Sequence, residues 1–240
     1  MRLRKLQRRA CARERFDLHQ RVVRRLLMSS RMKPLLAALL PFASMACFDH
    51  DGSGKVVSEA RQAPLFEKID ISGTVEVLVA IDDEPTVRVE TDDNLQEYIL
   101  TEVRGKTLFI SQKESIDPTK LLVRITTPKL VRFDSSGATK AQIKGLDEDR
   151  FELDVSGAAA VELIGEVETL VIDASGAAEI EADELIAERV EIDGSGAAEF
   201  TVHAKETLIA DLSGAGEIRY SGDPDEVKTD LSGAATVAKR

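Results

Sequence analysis

The tripeptide Ser-Gly-Ala occurs six times in the second half of this 240-residue chain, at Ser136, Ser156, Ser175, Ser195, Ser213 and Ser232. Successive serines are 20, 19, 20, 18 and 19 residues apart, and each stands two positions after an aspartate: Asp134, Asp154, Asp173, Asp193, Asp211 and Asp230. A fixed register with a period near 19 is too short for a helical-hairpin repeat. It matches one coil of a β-solenoid, in which each coil buries its apolar face only by stacking on its neighbours. The expected fold class is therefore all-β, a solenoid of about 19 residues per coil.

The side chains between the corners fall into columns that agree with this reading. Just before each aspartate lie Phe133, Leu153, Ile172, Ile192, Ala210 and Thr229. Two positions earlier come Val131, Phe151, Leu170, Val190, Leu208 and Val227. A spacing of two puts both columns on one face of a strand. Beyond the corner, Val161, Ile180, Phe200, Ile218 and Val237 begin a second strand, continued inward by Leu163, Ala182, Val202 and Tyr220. Acids such as Glu162, Glu179, Glu191 and Glu199 alternate with them and point outward. Each coil is thus expected to be two short amphipathic strands joined by a Ser-Gly-Ala corner.

The corner motif has a structural explanation in each residue. Gly137, Gly157, Gly176, Gly196, Gly214 and Gly233 supply a backbone conformation that other residues resist. Each aspartate is expected to accept a hydrogen bond from the backbone N–H near the following serine, an Asx-turn that makes the bend. The alternative is a cation site, since aspartates stacked about 4.8 Å apart repel by roughly 1 kcal/mol per pair in water and Ca²⁺ would relieve this. The nonapeptide calcium solenoids read Gly-Gly-x-Gly-x-Asp, which this sequence does not, so no metal and no cofactor is expected.

Charge divides the chain unevenly. Residues 1–46 hold 12 Lys/Arg against Glu14 and Asp17, which leaves 20 Lys/Arg against 41 Asp/Glu in the remainder, a net of −21 there. A body this acidic, with no basic stripe, is not expected to bind nucleic acid. The basic residues precede an apolar run from Leu35 to Ala46, too short for a membrane span and of the form of an export signal. Residues 32–47 are read as that signal, with Cys47 as the site of lipidation at a lipobox-like end. Ser44 stands where lipoprotein signals carry leucine, which leaves plain secretion or a retained anchor as alternatives. Residues 1–31 are either an over-extended start or a basic amphipathic segment at a membrane surface. Only Cys47 remains as a thiol beyond Cys11, so no internal disulfide is expected in the body.

Residues 48–63 lack an apolar period and are expected to be a flexible tether. The solenoid domain is placed at 64–240, as an irregular N-terminal part (64–133) and regular coils (134–240). Asp70-Ile71-Ser72-Gly73 repeats the corner spacing and marks an early coil. Between them, Val87-Arg88-Val89, Leu108-Phe109-Ile110 and Leu122-Val123-Arg124-Ile125 alternate as strands do. Gly105 and Lys106 suit a tight hairpin. Asp92-Asp93-Asn94 with Leu95, Tyr98 and Ile99 suits one short helical turn or a cap on the first coil. After the last corner only Ala235 to Arg240 follow, which leaves an open edge and makes end-to-end or side-by-side homo-oligomers an expectation.

Catalytic residues are not expected. The motif recurs without an associated base, and His50 and His203 are the only histidines beyond the leader. With no Trp, and Tyr only at Tyr98 and Tyr220, platforms for sugar stacking are few. The repeated Asp-x-Ser-Gly-Ala corners, with Asp70-Ile71-Ser72-Gly73 and a strand-rich interval before them, resemble a bacterial family labelled putative auto-transporter adhesin, head GIN domain, over about residues 65–238. The resemblance implies a right-handed β-helix on an exported, often lipoprotein-like chain of the cell envelope. It brings no catalytic or binding residues. The expected role is a non-catalytic, lipid-anchored structural or adhesin-like module that meets an unknown protein or glycan; the alternative is a carbohydrate-active or Ca-binding β-helix.

Overall fold

The computed structural model describes residues 50–240. The basic extension, the signal and Cys47 lie outside the described residues. The described strands, in chain order, are β1 (His50–Asp51), β2 (Val56–Arg61), β3 (Lys68–Ile81), β4 (Thr86–Asp92), β5 (Ile99–Arg104), β6 (Thr107–Gln112) and β7 (Ile116–Asp117). They continue with β8 (Leu121–Thr127), β9 (Arg132–Gly196), β10 (Glu199–Gly214), β11 (Glu217–Ser221), β12 (Glu226–Gly233) and β13 (Thr236–Lys239). A single 3₁₀ turn at Gln96–Tyr98 is the only helical element among the described residues. None of them forms a helix long and apolar enough to cross a membrane. The fold is all-β: an 11-stranded mixed sheet that does not close into a barrel, beside a two-stranded parallel sheet of β1 and β7.

β9 is 65 residues long without interruption. Drawn straight it would span roughly 210 Å, so it must bend repeatedly. It bends at the Ser-Gly-Ala corners. The glycines there have φ of 119° (Gly137), 101° (Gly157), 102° (Gly176) and 99° (Gly196), a region closed to most L-residues. Successive corners stack closely: a Cβ placed on Gly157, Gly176 or Gly196 would lie 2.5 Å from the carbonyl oxygen of the corner glycine one repeat earlier. Corner-glycine carbonyls also accept hydrogen bonds from the next repeat, Ala197 N–H to Gly176 O at 2.8 Å and Ala234 N–H to Gly214 O at 2.7 Å. Glycine is therefore required twice over, for its dihedral and for the room that lets the ladder close.

The flanking strands continue the same register. β3 pairs with β9 in parallel, Asp70 opposite Asp134, Ser72 opposite Ser136 and Gly73 opposite Gly137. β9 pairs with β10 (Asp193 opposite Asp211), and β10 with β12 (Asp211 opposite Asp230). The columns read from the sequence form the core: Phe133, Phe151, Leu170, Val190, Phe200, Val202 and Leu208 are at most 1% exposed. Burying a side chain of this size is worth roughly 1.5–3 kcal/mol. The last coil departs from the pattern. Every residue of β12 is exposed, including Val227 at 43% and Leu231 at 38%.

The N-terminal part switches to antiparallel pairing. β4 pairs with β8 on one side and β2 on the other, and β5 pairs with β6 across the tight Gly105-Lys106 turn, where Gly105 has φ 62°. Residues 48–63, expected as a flexible tether, instead contribute β1 and β2. The reason lies in long-range partners that no local pattern announces. The fully buried carboxylate of Asp92 accepts backbone N–H groups from Gly54 and Thr119, each at 2.7 Å, so it clasps the N-terminal loop to the β7–β8 connection. Gln96 donates to the carbonyls of Val57 and Val89, and Arg61 donates to the Gln96 backbone and side-chain oxygens at 2.9 Å. Together these bonds hold β2 as an edge strand.

Candidate interaction groove

The corner residues line up along one edge of the stack as four rows. Asp70, Asp134, Asp154, Asp173, Asp193, Asp211 and Asp230 occupy one, with serines, glycines and outward alanines following in the same order. The expected Asx-turn is not the device that makes the bend. Asp134 and Asp154 accept hydrogen bonds from Arg132, which also reaches Glu152 at 2.9 Å. The Asp173, Asp193, Asp211 and Asp230 carboxylates accept no hydrogen bond from a described residue. The strand simply runs through the motif, and glycine's positive φ supplies the turn.

Electrostatics along this row follow from crowding. Burial pushes the Asp154 carboxyl above its ordinary value, and the charges of Asp134 and Asp173 push it further, against the pull of Arg132. Asp70 is raised in the same way, by burial and then by Asp134. Arg132 is the counterion of the row's first members, and its own pKa is raised chiefly by its bond to Asp134. Among the described residues, no group of three or more His, Cys, Asp or Glu side chains is placed to hold a metal ion.

Beside the acidic row lies a groove of about 1040 Å³. Its floor is the row of outward corner alanines Ala138, Ala158, Ala177 and Ala197, so nothing longer than a methyl group rises from it. One wall is the segment from Gln112 to Leu121, which leaves the coils after β6 and returns through β7. Gln112 closes the near end: its side-chain N–H donates to the Thr74 carbonyl at 3.1 Å, and its amide fills the space above Gly73. The opposite rim carries Glu76, Lys140, Glu179 and Glu199. A second recess of about 500 Å³ shares Glu76, Lys140, Ala160 and Glu179 and extends past Glu162 and Glu181. The floor was legible in the repeat. The wall was not, because nothing in residues 112–121 states that they pack beside the corners.

This arrangement suits contact with an extended chain lying flat across the coils. His203 Nδ1 lies 2.9 Å from Ser221 Oγ, one coil apart, but neither residue lines the groove and the imidazole has no carboxylate partner among the described residues to orient it. His50 stacks on Tyr98 with ring centroids 4.3 Å apart and bonds Glu114 at 2.7 Å, which fastens β1 rather than forming a reactive pair.

A family model described as putative auto-transporter adhesin, head GIN domain, matches residues 65–224. Among solved structures, a putative adhesin from Bacteroides fragilis NCTC 9343 superposes with a TM-score of 0.68 at 23% identity, covering 79% of this chain and 99% of that one. A putative lipid binding protein from Parabacteroides distasonis ATCC 8503 gives 0.53 at 22% identity, covering 80% and 99%. A putative adhesin from the same organism gives 0.51 at 22% identity, covering 80% and 100%. These likenesses show the fold. No curated protein matches the chain.

Proposed function

We propose, because this chain belongs to the family described as putative auto-transporter adhesin, head GIN domain, that it is a non-catalytic interaction module of the bacterial cell envelope. In this reading the protein is exported, held to a membrane by a lipid on Cys47, and presents a rigid acidic rod to a protein or glycan partner. The rod is a right-handed β-helix of coils about 19 residues long. Support for the coil comes from the parallel, motif-on-motif register of β3, β9, β10 and β12. Support for its hand comes from the strong preference of parallel crossovers for right-handed connection.

The observation that carries the reading is the groove itself: a flat floor of methyl groups and open backbone, framed by Gln112–Leu121 and a rim of mixed charge. Such a surface offers area and hydrogen-bonding edges to a partner. A carbohydrate-active or Ca-binding role has no comparable feature to favour it.

The test joins anchor and groove. Full-length protein expressed in a bacterial host is labelled with a radioactive fatty acid and fractionated beside Cys47→Ala, and cells bearing either protein, or Ala177→Arg, are scored for attachment to protein- and glycan-coated surfaces. The expected result is label and membrane retention lost only in Cys47→Ala, and attachment lost in Ala177→Arg with retention intact. Unlabelled wild type, found soluble outside the cell, overturns the anchor; attachment indifferent to Ala177→Arg overturns the groove.

A further inference from the structure

We infer that β12 is a self-complementary edge through which two copies of the chain pair, end to end, about a twofold axis at Thr229. The proposal stands apart from the groove, none of whose lining residues lies in β12.

β12 differs from every coil before it. Its partners one repeat earlier, Leu208, Ala210 and Leu212, are at most 2% exposed, whereas Val227, Thr229 and Leu231 in the same columns are exposed. Among the described strands β12 pairs only with β10, so the hydrogen-bonding groups of its other edge face no described strand. Long edges of this kind, apolar on one face, are templates for pairing unless something blocks them. The strand has no proline, no glycine before Gly233 and no charge in its inward column, and its outward charges, Glu226, Lys228 and Asp230, are of both signs.

The order of those side chains selects the partner. In an antiparallel pair centred on Thr229, Val227 lies opposite Leu231 on the inward face, and Lys228 lies opposite Asp230 on the outward face, each contact made twice by symmetry. Moving the centre to Lys228 sets lysine against lysine and Glu226 against Asp230. Moving it to Asp230 sets aspartate against aspartate. Only the register at Thr229 matches both faces. A second copy added in parallel, as another coil, would extend the aspartate row instead and would need a free β3, which is already paired on one side by β9 and on the other by β6 and β8. The contact is therefore isologous and stops at two copies. Lys228 now bonds Glu226 at 2.6 Å with both side chains about half or more exposed, an interaction weak enough to be exchanged for the partner's aspartate.

The test is a charge-reversal cycle on the full chain in mild detergent, with association measured by sedimentation equilibrium at physiological salt. Wild type is expected to form a dimer. Lys228→Asp and Asp230→Lys each set like charges face to face twice and are expected to weaken the dimer at least tenfold. Lys228→Asp/Asp230→Lys restores opposite pairs and is expected to return to within about threefold of wild type. Unchanged thermal melting of the three variants shows that the coils remain folded. A wild type that stays monomeric, single variants that associate as wild type does, or a double variant as weak as the singles each overturns the proposal, the second result directing attention to β2 or another surface.

Discussion

At the scale of single residues, the corner glycines carry a tight and repeated constraint. Gly176 sits at φ 102°, and a Cβ there would press to 2.5 Å from the Gly157 carbonyl oxygen that the ladder needs. Gly176→Ala is therefore expected to lower stability by about 3 kcal/mol, the sum of backbone strain and a displaced coil-to-coil contact. Gly233 has the same chemistry at φ 82° but belongs to the exposed last coil. Gly233→Ala is expected to cost less than half as much, because that coil can loosen without disturbing a coil stacked beyond it. Urea unfolding of both variants checks the difference; equal costs would mean that the last coil unfolds with the rest. The glycines were legible in the sequence from their spacing, and their indispensability follows from a contact between residues 19 or 20 apart. The aspartates beside them were equally visible, but their expected Asx bonds do not form, since glycine alone makes the turn and leaves each carboxylate free to face solvent or Arg132.

Among the elements, the N-terminal strands show how a segment without an apolar period becomes ordered. Asp92 organises them. Burial alone would raise its carboxyl, yet the N–H groups of Thr119 and Gly54 outweigh burial and hold it below the ordinary aspartate value of 3.8. A carboxylate lowered on folding contributes stability that is present above that ordinary value and is lost as pH falls through the folded one. Asp70 and Asp154 act in the opposite sense: raised by burial and by their neighbours, they favour folding below 3.8 and lose that contribution as pH rises through their folded values. Asp92→Asn replaces one acceptor by a donor facing another N–H and is expected to cost about 1–3 kcal/mol at neutral pH. It should also flatten the acid limb of the stability curve, which thermal melting between about pH 2.5 and 7 checks. An unaltered acid limb would assign the clasp to packing rather than charge. Sequence periodicity found β4, β6 and β8 and the β5–β6 turn, because those strands alternate. It did not find β1 and β2, whose order comes from partners distant in sequence, β7 for β1 and β4 with Gln96 for β2.

For the whole molecule, charge and stack act against each other. Residues 47–240 carry 41 acids against 20 bases, and paired strands such as β9 and β10 set acids opposite acids, Glu179 by Glu199 and Asp193 by Asp211, so folding brings like charges closer than they are in the unfolded chain. Raising the ionic strength from about 0.02 to 0.5 M shortens the screening length from roughly 20 to 4 Å and is expected to raise the melting temperature by several degrees. A melting temperature that falls with salt would mean that ion pairs such as Arg132 with Asp134 and Glu152 outweigh the repulsion. The sequence by itself determined the all-β class, the glycine corners and the division of side chains into inward and outward columns. Those properties are fixed by spacing along a strand and by the repetition of one unit, and both are local. Tertiary structure alone decided two things: that residues 112–121 wall a groove over the corner alanines, and that residues 50–51 and 56–61 are strands. Each depends on what lies beside a segment in space, and neither periodicity nor composition records which distant residues will supply that neighbour.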